Sequence, residues 1–374
     1  MLQYLATAAA LVCAVLFYLR RTALSVANAA IPPPLPDPTP SPAQPPKKSK
    51  PPSHKPHPVP KPRAGAEKKP DHPRLLVQLK GHAEEITGIS WGRGGTVLAS
   101  ASKDRSVRLW SIDAAKPTSP KYIKVPIDSD YPTCVALSTD ATRIVIGTGY
   151  GQTVRVYDLD KKTPQTYTQT AEFERGHHTA DLLASLLSPT GKYVVSCSVD
   201  TTLNVWTEEG ELVQSVRTNA VNNYTVKVSP KGRFFALGAF TTDVKIWEPK
   251  LDKSTQKVTS IPRAMDLTGH RRGITGLDFS ADERRVATVS RDGFLRLFDI
   301  DVRYTVNEDP RILHTVPAPA GLDGAMELLA LAPDARRVVV VAGRGFVVWD
   351  WEAAQEVEVV ESAHGGGDFD VLWG

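Results

Sequence analysis

Histidine, serine and aspartate at fixed intervals are the residue types of nucleophilic acyl transfer. A hydroxyl attacks, an imidazole takes its proton, and a carboxylate orients the imidazole. Three stretches of this sequence carry the set. His82 precedes Ser102, Asp104 and Trp110 in "SASKDRSVRLW". His177 precedes Ser198, Asp200 and Trp206 in "SCSVDTTLNVW", and His270 precedes Ser290, Asp292 and Phe298 in "TVSRDGFLRLF". In each, Ser, Asp and aromatic stand at relative positions 0, 2 and 8, with the His 22 or 23 residues before the Asp. Three active sites evenly spaced along one chain would be an unlikely design. Repetition points instead to a hydrogen-bond chain that ties strands together and satisfies buried polar groups, each of which would cost about 1–3 kcal/mol if unpaired. Phe298 has no indole N–H, so its chain is expected to be one link short.

The elements that position these residues repeat as well. Each set ends in a short alternating run, the pattern of a half-buried strand. Weaker copies close on Tyr157, Trp247 and Trp349, so the closing aromatics are spaced by 47, 49, 41, 51 and 51 residues. A turn and a second apolar run precede each one, as in "STDATRIVI", "SPTGKYVV", "SPKGRFFA" and "SADERRVA". Ser, Pro, Asp and Gly there tolerate or pre-set turn dihedrals. Gly81-His82, Gly176-His177 and Gly269-His270 open three of the units. A period of this length, opened by Gly-His and closed by aromatic-Asp, is the signature of a propeller blade.

On those motifs the sequence resembles the WD40-repeat family over residues 75–374. The resemblance implies an all-β propeller of six complete blades and an incomplete seventh. It also implies that His82, Ser102, Asp104 and Trp110, with their counterparts in the other two units, form that family's structural tetrad. Val357–Val360 are expected to end the sixth blade. Asp368–Trp373 would open the seventh, with Leu75–Lys80 as its outermost strand and its two middle strands missing.

The first 74 residues are of another kind. Leu2 to Leu19 carry no charge, and Arg20 and Arg21 close the run. Eighteen residues is the lower end of a membrane-spanning helix, and a secretory signal usually carries its charge before the apolar run. Residues 1–21 are therefore expected to be a transmembrane signal anchor. "SVANAA" at 25–30 resembles a cleavage site and keeps a removed signal open as an alternative, with a mitochondrial presequence behind it. Residues 22–74 read as a Pro/Lys-rich disordered linker: residues 31–74 hold 17 prolines and nine Lys or Arg. Such chain extends by about 3.1 Å per residue and spans on the order of 100 Å. Residues 1–74 carry 11 basic and 3 acidic side chains, +8; the whole chain is +4, so residues 75–374 carry −4. The basic balance belongs to the linker, and no nucleic-acid binding is expected of the propeller. Basic residues near a span tend to stay cytoplasmic, which places the propeller in the cytosol. Cys134 and Cys197 fall in different units and read as buried thiols; the sequon Asn223-Tyr224-Thr225 matters only for a lumenal domain.

No phosphate loop and no Cys-x-x-Cys occurs, and no metal, cofactor or small-molecule substrate is expected. "HGGG" at 364–367 has the form of an esterase oxyanion motif but lacks the Gly-x-Ser-x-Gly partner. More narrowly, "VSPKGRFFALGAFTTDVKIWEP" at 228–249 and "GHRRGITGLDFSADERRVATVSRDGFLRLFDIDVRY" at 269–304 resemble a family of endoplasmic-reticulum membrane-anchored WD40 proteins. That resemblance implies a single-pass, non-catalytic scaffold for protein–protein interactions on the cytosolic face of the endoplasmic reticulum. It further implies a role in unfolded-protein signalling, with a stress-sensing kinase as partner. A secreted or lumenal binding propeller, after signal cleavage, and more remotely a propeller enzyme, are the alternatives.

Overall fold

The structure is a computed structural model, and it describes residues 79–92, 94–112, 120–160, 166–318, 326–343 and 345–360. Within them, consecutive strands form antiparallel meanders. The first sheet comprises β1 (Ile86–Gly92), β2 (Val97–Ser102), β3 (Ser106–Ser111) and β4 (Lys121–Pro126); the second comprises β5 (Pro132–Leu137), β6 (Arg143–Thr148), β7 (Val154–Leu159) and β8 (Tyr167–Glu172). The third is β9 (Leu182–Leu187), β10 (Tyr193–Ser198), β11 (Thr202–Thr207) and β12 (Leu212–Arg217). The fourth is β13 (Asn223–Val228), β14 (Phe235–Ala239), β15 (Val244–Trp247) and β18 (Arg263–Leu267), with the ribbon β16 (Lys250–Leu251) and β17 (Val258–Ser260) between its last two strands. The fifth is β19 (Ile274–Phe279), β20 (Arg285–Ser290), β21 (Phe294–Asp299) and β22 (Arg311–Pro317); the sixth is β23 (Met326–Leu331), β24 (Arg337–Ala342), β25 (Gly345–Asp350) and β26 (Gln355–Val360).

Each closing aromatic lies in the third strand of its sheet, opposite an apolar residue of the second. The pairs are Leu98↔Trp110, Ile144↔Tyr157, Val194↔Trp206, Phe235↔Trp247, Val286↔Phe298 and Val338↔Trp349. Because side chains alternate faces, a one-residue slip would turn the aromatic out of the core. In the second to fifth sheets the turns between first and second strands share one device. Ser138, Ser188, Ser229 and Ser280 each donate their N–H to the carbonyl of Arg143, Tyr193, Phe234 and Arg285, at 2.8–3.0 Å. The serine hydroxyl accepts the returning N–H, at 2.9–3.2 Å. The fourth turn residue is left-handed; Gly191 and Gly232, both with φ of 74°, meet this without strain.

The innermost strands β1, β5, β9, β13, β19 and β23 pack in succession. Five clusters of buried apolar side chains join consecutive sheets in the order one to six. Phe173, Val194 and Trp206 meet Val145 and Val156 between the second and third sheets, for example. Side chains of the innermost strands add bridges: Ser90 Oγ accepts the Leu137 N–H at 3.0 Å, and Asp278 Oδ2 accepts that of Leu331 at 2.9 Å. The result is a propeller-like all-β fold.

Of the stretch Leu75–Lys80, residues 79 and 80 are described, and they belong to no strand. The remainder of the expected seventh blade, including Asp368–Trp373, lies outside the described residues, as does "HGGG" at 364–367. The anchor at 1–21, with Arg20 and Arg21, and the linker at 22–74 also lie outside them. Among the described residues no helix is long and apolar enough to cross a membrane. Cys134 and Cys197 are buried free thiols.

Candidate functional site

In a meander the turn between the second and third strands lies at the same end as the loop entering the next sheet. His82 sits on the chain entering β1, and Asp104 in the β2–β3 turn. The Trp110 indole donates to Ser100 Oγ at 2.8 Å, the Ser100 hydroxyl meets His82 Nε2 at 2.7 Å, and His82 Nδ1 meets Asp104 Oδ2 at 2.9 Å. Asp104 also accepts the Ala83 N–H at 3.1 Å and the Ser106 hydroxyl at 2.6 Å. The chain thus runs from the core aromatic to the turn and pins the entering loop at its end.

Two further sheets repeat it. In the third, Trp206 donates to Ser196 Oγ at 2.8 Å, and Ser196 meets His178 Nε2 at 2.7 Å. His178 Nδ1 reaches the Thr202 hydroxyl at 2.8 Å, and that hydroxyl donates to Asp200. In the fifth, His270 meets Thr288 Oγ1 at 2.8 Å and Asp292 Oδ2 at 2.9 Å. Phe298 fills the aromatic place there and has no N–H to donate.

These chains correct the expected membership at four positions. Ser102, Ser198 and Ser290 are not the central hydroxyls; Ser100, Ser196 and Thr288 are. A strand places residues two apart on one face, so both candidates face the right way. The pairing of Trp110 with Leu98 puts Ser100, not Ser102, within reach of the indole. Ser102, Ser198 and Ser290 stand at the strand ends and do a second job. Each hydroxyl donates to a carbonyl of the entering loop, Glu84, Ala180 or Arg272, at 3.0–3.1 Å. Each also accepts the N–H of its aspartate, at 3.1–3.2 Å. The fourth correction is His177, which lies outside the chain. It meets Glu174 at 3.3 Å and packs its edge on Trp206, while His178 takes the central place. A constant interval would have found His178, which stands 18 residues before its hydroxyl as His82 and His270 do, but not the hydroxyls, since Ser102, Ser198 and Ser290 also keep a constant spacing from the three histidines.

Reading for His-Ser-Asp also missed the other sheets. In the second, Asp130 comes from the entering loop and accepts the N–H groups of Tyr131, Tyr150 and Gly151, each at 2.8 Å. Donor and acceptor have exchanged sides, but loop and turn are still joined. In the fourth, Asn223 donates to the Ser198 carbonyl at 3.0 Å and accepts the Thr218 hydroxyl at 2.9 Å. A third repeated contact comes from the residue two before the closing aromatic. Arg108, Arg155, Asn204 and Lys245 each donate to a loop carbonyl 27 residues upstream, of Gly81, Asp128, His177 and Thr218. The sequence signal was a polar residue inside an apolar run at one repeat position. At the opposite end, residues following the aromatic pair with arginines: Arg143 with Asp158 at 2.8 Å, Arg233 with Glu248 at 3.0 Å.

Burial and hydrogen bonding set the charge states along the chains. Burial pushes His82, His178 and His270 below the ordinary imidazole value of 6.5, outweighing the facing aspartates. Burial alone would raise Asp104, Asp200 and Asp292, but their hydrogen bonds hold them below the usual carboxylate value of 3.8. The unfolded chain therefore takes up histidine protons more readily than the folded one. The stability these imidazoles contribute is complete above about pH 6.5 and is lost as pH falls below it, by up to about 1.4 kcal/mol per pH unit for each. Urea denaturation at pH 7, 6 and 5 should show falling stability, with a shallower slope in His270→Gln. A flat profile would count against three buried neutral histidines.

Six meander sheets, a blade-length repeat and the thrice-repeated His–hydroxyl–Asp chain define a WD40-repeat protein, and the chain belongs to that family. The family model of the WD domain, G-beta repeat, matches residues 73–111, 167–207 and 262–299, the stretches that hold the three chains. The sequence is similar to transducin beta-like protein 2 of Homo sapiens, 32% identical over 297 residues, covering 79% of this chain and 66% of the relative. The Mus musculus protein of that name is 31% identical over 299 residues, with the same coverage. Pre-mRNA-processing factor 19 homolog 2 of Arabidopsis thaliana is 23% identical over 230 residues, 61% of this chain and 32% of the relative. The chain thus spans 66% of the length of the two transducin beta-like relatives.

Proposed function

We propose that this chain is a membrane-anchored, non-catalytic WD40 scaffold that presents its loop end to protein partners on the cytosolic face of the endoplasmic reticulum. One observation carries the scaffold reading: the histidines, hydroxyls and aspartates that could do chemistry are consumed, three times over, in holding loops to turns. Rigidly held loops are where binding specificity resides. The same end exposes apolar side chains, among them Tyr150 at 73% and Val221 at 71%. The anchor rests on the uncharged run from Leu2 to Leu19 closed by Arg20 and Arg21. Resemblance to the anchored WD40 family supports the organelle, the role in unfolded-protein signalling and a stress-sensing kinase as partner. Proximity labelling from the tagged full-length chain tests the partner; absence of that kinase among labelled proteins under stress would remove it.

Topology has its own test. Protease added to intact microsomes should digest the propeller, and protection would place it in the lumen. Glycan at Asn223 is a poor reporter. Asn223 is 3% exposed and its amide is bonded at both ends, so the folded domain does not offer it for modification.

A further inference from the structure

The repeat that clamps the loops also sets up a set of backbone bonds from each turn to the entering loop: Lys103 to Glu85, Val199 to Asp181, Phe240 to Asn222 and Arg291 to Gly273, at 2.8–3.1 Å. In the first sheet these paired positions carry compensating charge, and Lys103 Nζ meets Glu85 at 2.7 Å. In the fifth, the position facing Arg291 is glycine. The guanidinium turns instead onto the Tyr224 ring, 5.0 Å from its centroid. Tyr224 in turn meets Phe240 edge-on at 6.3 Å. A side chain at Gly273 would lie 3.2 Å from the Phe240 backbone and 3.3 Å from the Tyr224 ring, so glycine lets the two loops close over the aromatics. Phe240 is 48% exposed, and Val221, next to Asn222 on the adjoining loop, is 71% exposed. Arg271 and Arg272 precede Gly273 and are exposed. Among the described residues, none of the three guanidinium groups has a carboxylate partner.

We infer that this patch, at the loop end of the fourth and fifth sheets, binds a short acidic peptide segment carrying a large apolar side chain. The inference rests on the scaffold reading and gives it a partner class. The apolar side chain would cover Phe240, Tyr224 and Val221. Carboxylates would meet Arg291, Arg271 and Arg272, as Glu85 meets Lys103 in the first sheet. Arginine suits this because its planar fork pairs carboxylates while stacking on an aromatic face. A nucleic acid fits less well. It draws affinity from many phosphates along an extended basic track, whereas the three arginines here border an apolar cluster of Phe240, Tyr224 and Val221.

The test is fluorescence anisotropy on the full-length chain in mild detergent. The probes are a short labelled peptide of Asp and Glu around a Leu-Phe pair, its Lys-for-acid counterpart, and an oligouridine RNA. Saturable binding of the acidic peptide alone is expected, weakened about tenfold or more in R271E/R291E and, separately, in F240S. Both variants change exposed side chains, and unchanged melting temperatures confirm that they fold. No binding by the parent chain, or equal binding by R271E/R291E, overturns the inference. So does tighter binding of the RNA lost in the same variants, or self-association of the parent that they abolish. Proximity-labelled partners that persist in R271E/R291E would leave the scaffold standing and remove only this surface.

Discussion

Asp104→Ala and Asp200→Ala should each lower the unfolding free energy of the full chain by about 3 kcal/mol, because several donors, most of them partly buried, lose their acceptor at once. At Asp104 the losers are the His82 ring, the Ala83 N–H and the Ser106 hydroxyl. At Asp200 they are the Thr179 N–H, the Thr202 N–H and the Thr202 hydroxyl. A catalytic aspartate behaves otherwise: its removal abolishes turnover and often leaves stability intact. Urea denaturation decides between the two. Unchanged midpoints in both variants, with partner binding lost, would make these residues functional rather than structural.

Trp206→Ala should cost more, about 4 kcal/mol, the usual range for deleting a large buried aromatic. Trp206 is 1% exposed and packs on Phe173, with ring centroids 5.2 Å apart. It belongs to the cluster that joins the second sheet to the third. Truncation would open a cavity between sheets and leave Ser196 without its donor. Trp206→Phe should cost far less, since Phe298 fills the same place in the fifth sheet. Thermal unfolding of the three proteins should therefore rank parent, Phe and Ala in that order. Equal losses in Phe and Ala would mean that the indole hydrogen bond, not the packing, dominates.

Much of the architecture was legible because several levels agree. Alternation marks the strands, turn residues separate them, and the closing aromatics return at blade length in one register. What could not be read was which of two equivalent groups closes each chain. Ser100 and Ser102 share a strand face, and only the cross-strand register separates them. His177 follows glycine, as His82 and His270 do, yet its neighbour His178 takes the position that keeps the His-to-hydroxyl interval. Asp130 escaped notice because the acceptor moved from turn to loop, which conserves the bond but not the residue pattern. The Arg291 patch is invisible in a linear reading, since Tyr224, Phe240 and Gly273 come from three different segments.

A double-mutant cycle tests most directly whether the His–hydroxyl–Asp groups are structural chains with the membership described. His178→Gln, Ser196→Ala and the double variant should show a coupling energy of about 1 kcal/mol or more, as residues in one hydrogen-bond network do. The parallel cycle on His177 and Ser198 should show none, because His177 turns to Glu174 and Ser198 to the Ala180 carbonyl. Coupling in the second cycle and none in the first would contradict the account.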